Sequence, residues 1–396
     1  MNGYRIPFNQ PGTFGHEYAY MADAVARGHI SGDGNYTRQS QALLEKELGA
    51  ERVLLTTSCT HALEMCALLL GIGPGDEVIV PSFTFVSTAN AFVLRGARPV
   101  FADIRPDTLN LDERQLEPLI SDRTRAIVVV HYAGVACEMD TIARIAEKYG
   151  IPVVEDNAHG LFGRYRGRYL GTMGRLATQS FHETKNIHCG EGGALILNDP
   201  ALVHRAEILR EKGTNRSAFF RGEVDKYTWV DAGSSYVLSD SLAAFLYAQL
   251  EQRQRIQAAR KRNWEYYARA LAPWAERNGV RLPHVPPSCE QAYHMFYLLM
   301  PDCETRQQLI GHLKQRGILS VFHYVPLHNS PMGRSLGGRD GQCPVTEWAS
   351  DRLLRLPFYA GLRESEAAEV VDAIESFAGG HQALARYQSD PVFASG

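Results

Sequence analysis

From residue 52 onward, short runs of β-branched and aliphatic residues alternate with helix-length amphipathic stretches. Val53-Leu54-Leu55, Val78-Ile79-Val80, Val100-Phe101, 126–130 and 152–154 read as strands. Between them Ala62, Met65, Cys66 and Leu69 form an i, i+3, i+4, i+7 stripe that predicts a helix over 60–70. A second helix is predicted over 140–149, ended by Gly150. Strands alternating with helices of this length predict an α/β fold, a mostly parallel sheet with helices on both faces. In such sheets the ligand crevice opens at the carboxyl ends of the strands, which makes strand-end residues the ones to examine.

Upstream lie an irregular start, an amphipathic segment over 18–26, glycines 28, 32 and 34 in a mobile arm or loop, and a helix over 38–48. Downstream, strands are expected at 178–181 and 194–197, a helix at 201–212, and a polar, aromatic loop at 213–235. A long helix from about 238 to 271 leads into a strand at 292–300, a helix at 304–316, a strand at 319–322 and helices at 345–354 and 365–377. The expected organisation is a large domain over 1–250, a smaller α+β domain over 251–378 entered by the long helix, and a loose tail over 379–396.

With 396 residues the chain exceeds one ordinary core, in keeping with two domains. Hydrophobic residues at 45% and charged residues at 21% are those of a soluble globular protein. A net charge of −3 argues against a generic nucleic-acid or membrane-surface binder, which needs a basic field. No apolar run approaches the ~20 residues of a membrane span, and residues 1–9 lack the apolar core of a signal peptide. Cys59, Cys66, Cys137, Cys189, Cys289, Cys303 and Cys343 include no Cys-x-x-Cys pair and are odd in number. Reduced thiols in a cytoplasmic enzyme explain them, rather than a disulfide framework or a zinc site.

Four strand ends carry chemistry. Thr56-Thr57-Ser58-Cys59-Thr60 runs into a helix, where small hydroxyl residues either cap the helix or leave N–H groups for a phosphate. Phe85, after Pro81-Ser82-Phe83-Thr84, is either a core ring or a stacking ring for a flat heterocycle. Glu155-Asp156-Asn157-Ala158-His159 places acids where a cation must meet them, a protonated pyridine nitrogen or Mg²⁺, and no further carboxylates cluster to favour the metal. His159 also reads as a satisfied structural histidine. Lys185, after Ser180-Phe181-His182-Glu183-Thr184 and before Gly190-Glu191-Gly192-Gly193, is either a solvated surface lysine or an amine facing a pocket. In a pocket, desolvation lowers its pKa from about 10.4 and suits it to form a Schiff base. Together these ends supply a phosphate cradle, a stacking ring, an acid and a lysine, the requirements for holding pyridoxal phosphate.

These segments resemble, in order and spacing, the sugar aminotransferases of the DegT/DnrJ/EryC1/StrS family, from Ile6 to about Phe377. Longer matching runs are 87–96, 131–140, 210–217 and 224–229. The resemblance implies the aspartate-aminotransferase-like fold (fold type I) and a homodimer with shared active sites. It implies that Lys185 forms the Schiff base, Asp156 pairs with the pyridine nitrogen, Phe85 stacks on the ring, and Ser58, Cys59, Thr60 and Ser180 surround the phosphate. Two positions depart from the family pattern. His159 stands where a glutamine is usual, next to the ring's 3-hydroxyl, and Ser235 replaces the asparagine that a partner subunit contributes to the phosphate.

The implied reaction moves an amino group from L-glutamate to C4 of dTDP-4-keto-6-deoxyglucose, with the cofactor cycling between pyridoxal and pyridoxamine 5′-phosphate and Lys185 moving the protons. The implied product is a 4-amino-4,6-dideoxygalactose nucleotide for cell-surface polysaccharide such as lipopolysaccharide O-antigen. His182 either orients substrate or packs. Arg216, Arg221 and Lys226, with Tyr227 and Trp229, are candidates for the diphosphate end or a solvated loop, and His323 and His328 either face the substrate or pack at a strand-to-loop junction. Alternatives are the gluco epimer or a 3-amino sugar as product, a pyridoxamine-dependent dehydratase, which the retained lysine argues against, and a non-catalytic sugar-binding relative.

Overall fold

The computed structural model describes residues 3–377, so the tail expected over 379–396 lies outside the described residues. In chain order the main elements of the larger unit begin with α1 (Glu17–Ala26), α2 (Asn35–Leu48), β1 (Arg52–Thr56), α3 (Cys59–Leu69), β2 (Glu77–Pro81) and α4 (Ser87–Val93). They continue with β3 (Arg98–Ala102), β4 (Thr124–Val130), α5 (Met139–Tyr149), β5 (Val153–Asp156), β6 (Leu176–Ser180), β7 (Gly193–Leu197), α6 (Val203–Arg210) and α7 (Asp240–Glu251).

The seven strands form one sheet in the order β1-β7-β6-β5-β4-β2-β3. Strands β2 to β6 pair in parallel, whereas β7 is antiparallel to both β1 and β6, so it alone runs against the others. The apolar runs are unbroken because both faces of the sheet are covered. Leu54, Val78, Val80, Val128 and Leu195 face one side with α3 and α4. Their strand neighbours Val53, Leu55 and Ile196 face the other with α2 and α7, and Ile79, Ile127 and Val129 pack there on α5.

The long helix expected from 238 to 271 is two helices. α7 ends and α8 (Arg253–Arg277) starts at Gln252, whose ψ of 10° departs from helical values and breaks the run. Beyond it come β8 (Tyr297–Leu299), α9 (Cys303–Gln315), β9 (Val321–Phe322), α10 (Pro344–Arg352), β10 (Leu353–Arg355) and α11 (Glu364–Glu375). The helix expected over 345–354 therefore stops early, and its last two residues open β10, the centre of an antiparallel sheet ordered β8-β10-β9. This smaller unit has its own core of Tyr267, Phe296, Leu298, Leu309, Leu313, Leu354 and Ile374. The chain's beginning joins it: Ile6 is fully buried there and bridges Ile318. Among the described residues no helix is long and apolar enough to cross a membrane.

Candidate active site

At the carboxyl ends of the parallel strands lies a cavity of about 590 Å³. It is lined by Ser58, Cys59, Thr60, Phe85, Asp156, His159, Ser180, His182 and Lys185 from the larger unit, and by His294, His323, Tyr324 and Arg355 from beyond α8. Ten sequence-predicted residues thus converge here, including His323.

The reversed strand explains the lysine. β6 and β7 are hydrogen-bonded neighbours, and the chain between them returns through a tight loop closed by Phe181 N–H to Gly192 O and Glu183 N–H to Gly190 O, both 2.8 Å. Gly190, at φ +87°, makes the return. Lys185 is held in this loop with its amine in the cavity, and burial pulls its pKa down to about 8, with Cys59 and Asp156 opposing the fall. At neutral pH a usable fraction of the amine is then uncharged.

Asp156 ends β5, and its orientation is fixed from two sides. Thr88 Oγ1 donates to it at 2.8 Å and Ala158 N–H at 3.1 Å. Burial raises its carboxyl above the usual range against these donors, so a cation brought to it would be strongly preferred. Next to it Glu155, fully buried, anchors the strand end. It meets His131 Nε2 at 2.8 Å and accepts the N–H groups of Gly171 and Met173 at 2.8 and 2.6 Å.

On the third side α3 points its N-terminus into the cavity. Ser58 caps it, accepting His61 N–H at 3.1 Å, which leaves the N–H groups of Cys59 and Thr60 without intrahelical carbonyls. Such a helix start favours an anion. Gly193 of β7 allows this approach, because a Cβ there would stand 2.3 Å from Cys59 N. Phe85, unlike the buried Phe83, leaves 58% of its surface exposed at the cavity edge.

His159 is part of a histidine stack. Its ring lies on His294, centroids 4.3 Å apart and 17° from parallel, and His323 follows at 6.2 Å. Burial pushes all three well below their ordinary pKa, with Lys185 adding to the effect, so the stack is neutral. Asn186 donates to Ala292 O at 2.6 Å, which turns its Oδ1 to His294 Nδ1 at 2.9 Å and places the proton of His294 on Nδ1. Two positions that join the stack or the cavity, His294 and Arg355, were not singled out in the sequence. The signal for Arg355 was a charged residue inside Leu353-Leu354-Arg355-Leu356.

Seven expected residues lie elsewhere, among them Lys226 and Trp229, both exposed. Ser235, Arg216 and Arg221 line a separate cavity of about 770 Å³, where Arg216 meets Glu211 at 3.2 Å and Arg221 meets Glu207 at 2.8 Å. Tyr227 is half exposed, packed edge-on against Phe219. His328 is fully buried with both ring nitrogens engaged, by Ser82 Oγ at 2.6 Å and Glu347 at 2.7 Å, so it packs between the units and does not face the cavity.

The sequence model of the DegT/DnrJ/EryC1/StrS aminotransferase family matches residues 14–375. Among solved structures, the aminotransferase TlmJ from Streptoalloteichus hindustanus is similar at 32% identity and a TM-score of 0.86, over 94% of this chain and 98% of that one. The sugar aminotransferase Spr1654 from Streptococcus pneumoniae is similar at 25% identity in two forms. Its PMP-form covers 96% of this chain and 100% of its own with a TM-score of 0.89. Its PLP-form has the same coverage and a TM-score of 0.87. The cavity fits such a cofactor: α3 offers the N–H groups of its first turn to a phosphate, Asp156 a buried carboxylate to a ring nitrogen, and Lys185 an amine that forms no ion pair among the described residues.

Proposed function

Because the chain belongs to the DegT/DnrJ/EryC1/StrS aminotransferase family, whose members work with pyridoxal 5′-phosphate, we propose that it moves an amino group from L-glutamate to C4 of dTDP-4-keto-6-deoxy-D-glucose. The products are dTDP-4-amino-4,6-dideoxy-D-galactose and 2-oxoglutarate. The observation that carries amino transfer is Lys185, a buried amine with its pKa near 8, in one cavity with the buried Asp156. The sugar assignment is supported by the long runs at 87–96, 131–140, 210–217 and 224–229.

When bound, pyridoxal phosphate supplies the electron sink for breaking a bond at the amine-bearing carbon. The residues do the rest. Cys59 and Thr60 N–H groups, with Ser58 and Ser180, hold the phosphate. Asp156, braced by Thr88, keeps the ring nitrogen protonated, and Phe85 covers the ring at the cavity edge. Neutral His159 serves as a hydrogen-bond partner for the ring hydroxyl in place of the family's glutamine. Lys185 takes the proton from Cα of the donor and later delivers one to C4 of the sugar, a role worth about 10²–10⁴-fold. His182 and His323, at the cavity wall, orient the sugar.

Ser235, Arg216, Arg221 and Tyr227 lie away from the cavity of their own chain. A homodimer gives them a place, in the site of the partner subunit, where the arginines meet the nucleotide diphosphate. The enzyme works in the cytoplasm, where nucleotide sugars for surface polysaccharide are made. The test is to incubate the protein with L-glutamate and dTDP-4-keto-6-deoxyglucose and to identify the product by mass and by proton coupling at sugar C4. A galacto configuration is expected. A gluco configuration moves the enzyme to the sister activity, and no amino sugar despite bound cofactor overturns both.

A further inference from the structure

The segment 292–294 is held more firmly than packing alone requires. Tyr293 sits at φ +52°, the left-handed region that strains a bulky residue. Its neighbours are pinned from two directions. Arg260 of α8, 2% exposed and in no ion pair among the described residues, turns its guanidinium to backbone carbonyls instead. Its Nε donates to Tyr293 O at 2.9 Å and its Nη2 to His294 O at 2.6 Å. Asn186, next to Lys185, donates to Ala292 O and accepts the Nδ1–H of His294, and Gln257 of α8 donates to Ala292 O at 3.3 Å. A buried cation, a strained backbone and the lysine's neighbour are thus all committed to placing one ring, that of His294.

What that ring meets is His159, parallel to it at 4.3 Å. The Nδ1 of His159 is shut off from solvent without a hydrogen-bond partner. Ring contacts therefore set its orientation, with His294 on its face and Tyr132 edge-on at 5.9 Å. The charged groups that act on the two rings, Lys185, Arg260 and Arg355, are all basic, and burial adds to their effect, so neither ring takes a second proton. Buried N–H groups are almost never left without an acceptor. The single proton of neutral His159 accordingly belongs on Nε2, the nitrogen left to face the cavity that this residue lines.

We propose that His294 is a positioning residue that acts through His159, its parallel ring holding His159 so that the Nε2–H donates a hydrogen bond to the 3-oxygen of the bound cofactor. A glutamine at position 159 would bring an amide that always carries donors. An imidazole donates from one nitrogen only, and which one is set by its surroundings. The stack closes off Nδ1 and leaves Nε2 the donor. Asn186 links this arrangement to the loop of Lys185, so the reacting amine and the ring that aims at the cofactor oxygen share one anchor. The contact to the cofactor rests on the proposed function, whereas the tautomer of His159 and its dependence on His294 do not.

The test has two readouts on the full chain. Nitrogen NMR of histidine-labelled, cofactor-free protein at pH 7 reports the tautomer, the His159 resonances being those that vanish in His159→Gln. A proton on Nε2 is expected in the wild type and in His294→Phe, which keeps a ring on the face of His159, and a mixture of tautomers in His294→Leu. Calorimetry then follows pyridoxamine 5′-phosphate, which binds without a covalent link. His294→Leu is expected to weaken it by about 3–10-fold, and His294→Phe to stay close to the wild type. In a His159→Gln background His294→Leu should change the affinity by less than about 2-fold, because nothing is left for it to act through. A proton on Nδ1 of wild-type His159, or an imidazolium there, overturns the proposal whether or not the variants fold. An equal loss of affinity in both backgrounds makes His294 a core residue only and overturns it too. If the wild type binds no pyridoxamine phosphate, the cofactor reading fails and the donor role falls with it, whereas a failure confined to the double variant leaves that reading standing.

Discussion

At the scale of single residues, the site works by withholding water from charged groups. Lys185 is the clearest case, since its pKa near 8 lies below the roughly 10.4 of an exposed lysine. Between those values the unfolded chain binds more protons than the folded one, so stability rises with pH through that window, and the penalty is fully present below about pH 8. Lys185→Met should therefore make the cofactor-free protein more stable at pH 7, by ~1–3 kcal/mol, while abolishing amino transfer. The gain should shrink as pH approaches 10. Urea midpoints of both cofactor-free proteins at pH 7 and 10 check this, and an equal difference at both pH values would remove the buried ammonium as the cause. Lys185 was legible in the sequence only through its company, the strand ends at Ser58 to Thr60, Phe85 and Asp156 and the family resemblance, because alone it read as readily as a solvated surface lysine. The histidine stack was not, since His159 and His294 are far apart in the chain and nothing local marks two rings that meet at 4.3 Å.

Among the elements, the contact that shapes the site is the passage of β7 beside the start of α3. Thr56 pairs with Gly193, and the missing side chain lets the strand pass within van der Waals range of the Ser58-Cys59 backbone. Gly193→Ala puts a carbon into backbone that cannot yield like a flexible side chain. The expected cost is about 1–3 kcal/mol of stability together with weaker pyridoxal phosphate binding, because the N–H groups of Cys59 and Thr60 are displaced. Denaturant midpoints and a fluorescence titration with the cofactor measure the two effects; full cofactor affinity in a folded variant would contradict the assignment of the cradle. Strands buried on both faces are visible as unbroken aliphatic runs, which is why the sheet could be read in advance. The same burial erases direction, so the run Ala194-Leu195-Ile196-Leu197 gave no sign that β7 is reversed. Gln252 and β10 were hidden for related reasons. A polar residue within an amphipathic run carries no break signal comparable to glycine or proline, and Leu353-Leu354 continues a helical pattern as well as it starts a strand.

For the whole molecule, the placement of the 213–235 loop away from its own cavity turns subunit organisation into an activity question. If Arg216 serves the partner subunit's site, Lys185→Ala and Arg216→Ala are each inactive alone, yet co-expressed they form mixed dimers with one intact site. Random pairing then restores about a quarter of the sites. No recovery in a verified mixed dimer would return Arg216 to its ion pair with Glu211 as its whole role. The seating of Ile6 beside Ile318 has a different consequence, one of timing. On the ribosome the first residues emerge long before the segment they pair with, at about 5–20 residues per second, so the smaller core cannot close until nearly the entire chain has been made. The larger sheet, whose strands all lie before residue 198, can assemble first. Refolding should follow the same order, with the signal of a probe near Ile6 arriving last. A bulky fusion at the amino terminus would then slow the final step more than one at the carboxyl terminus.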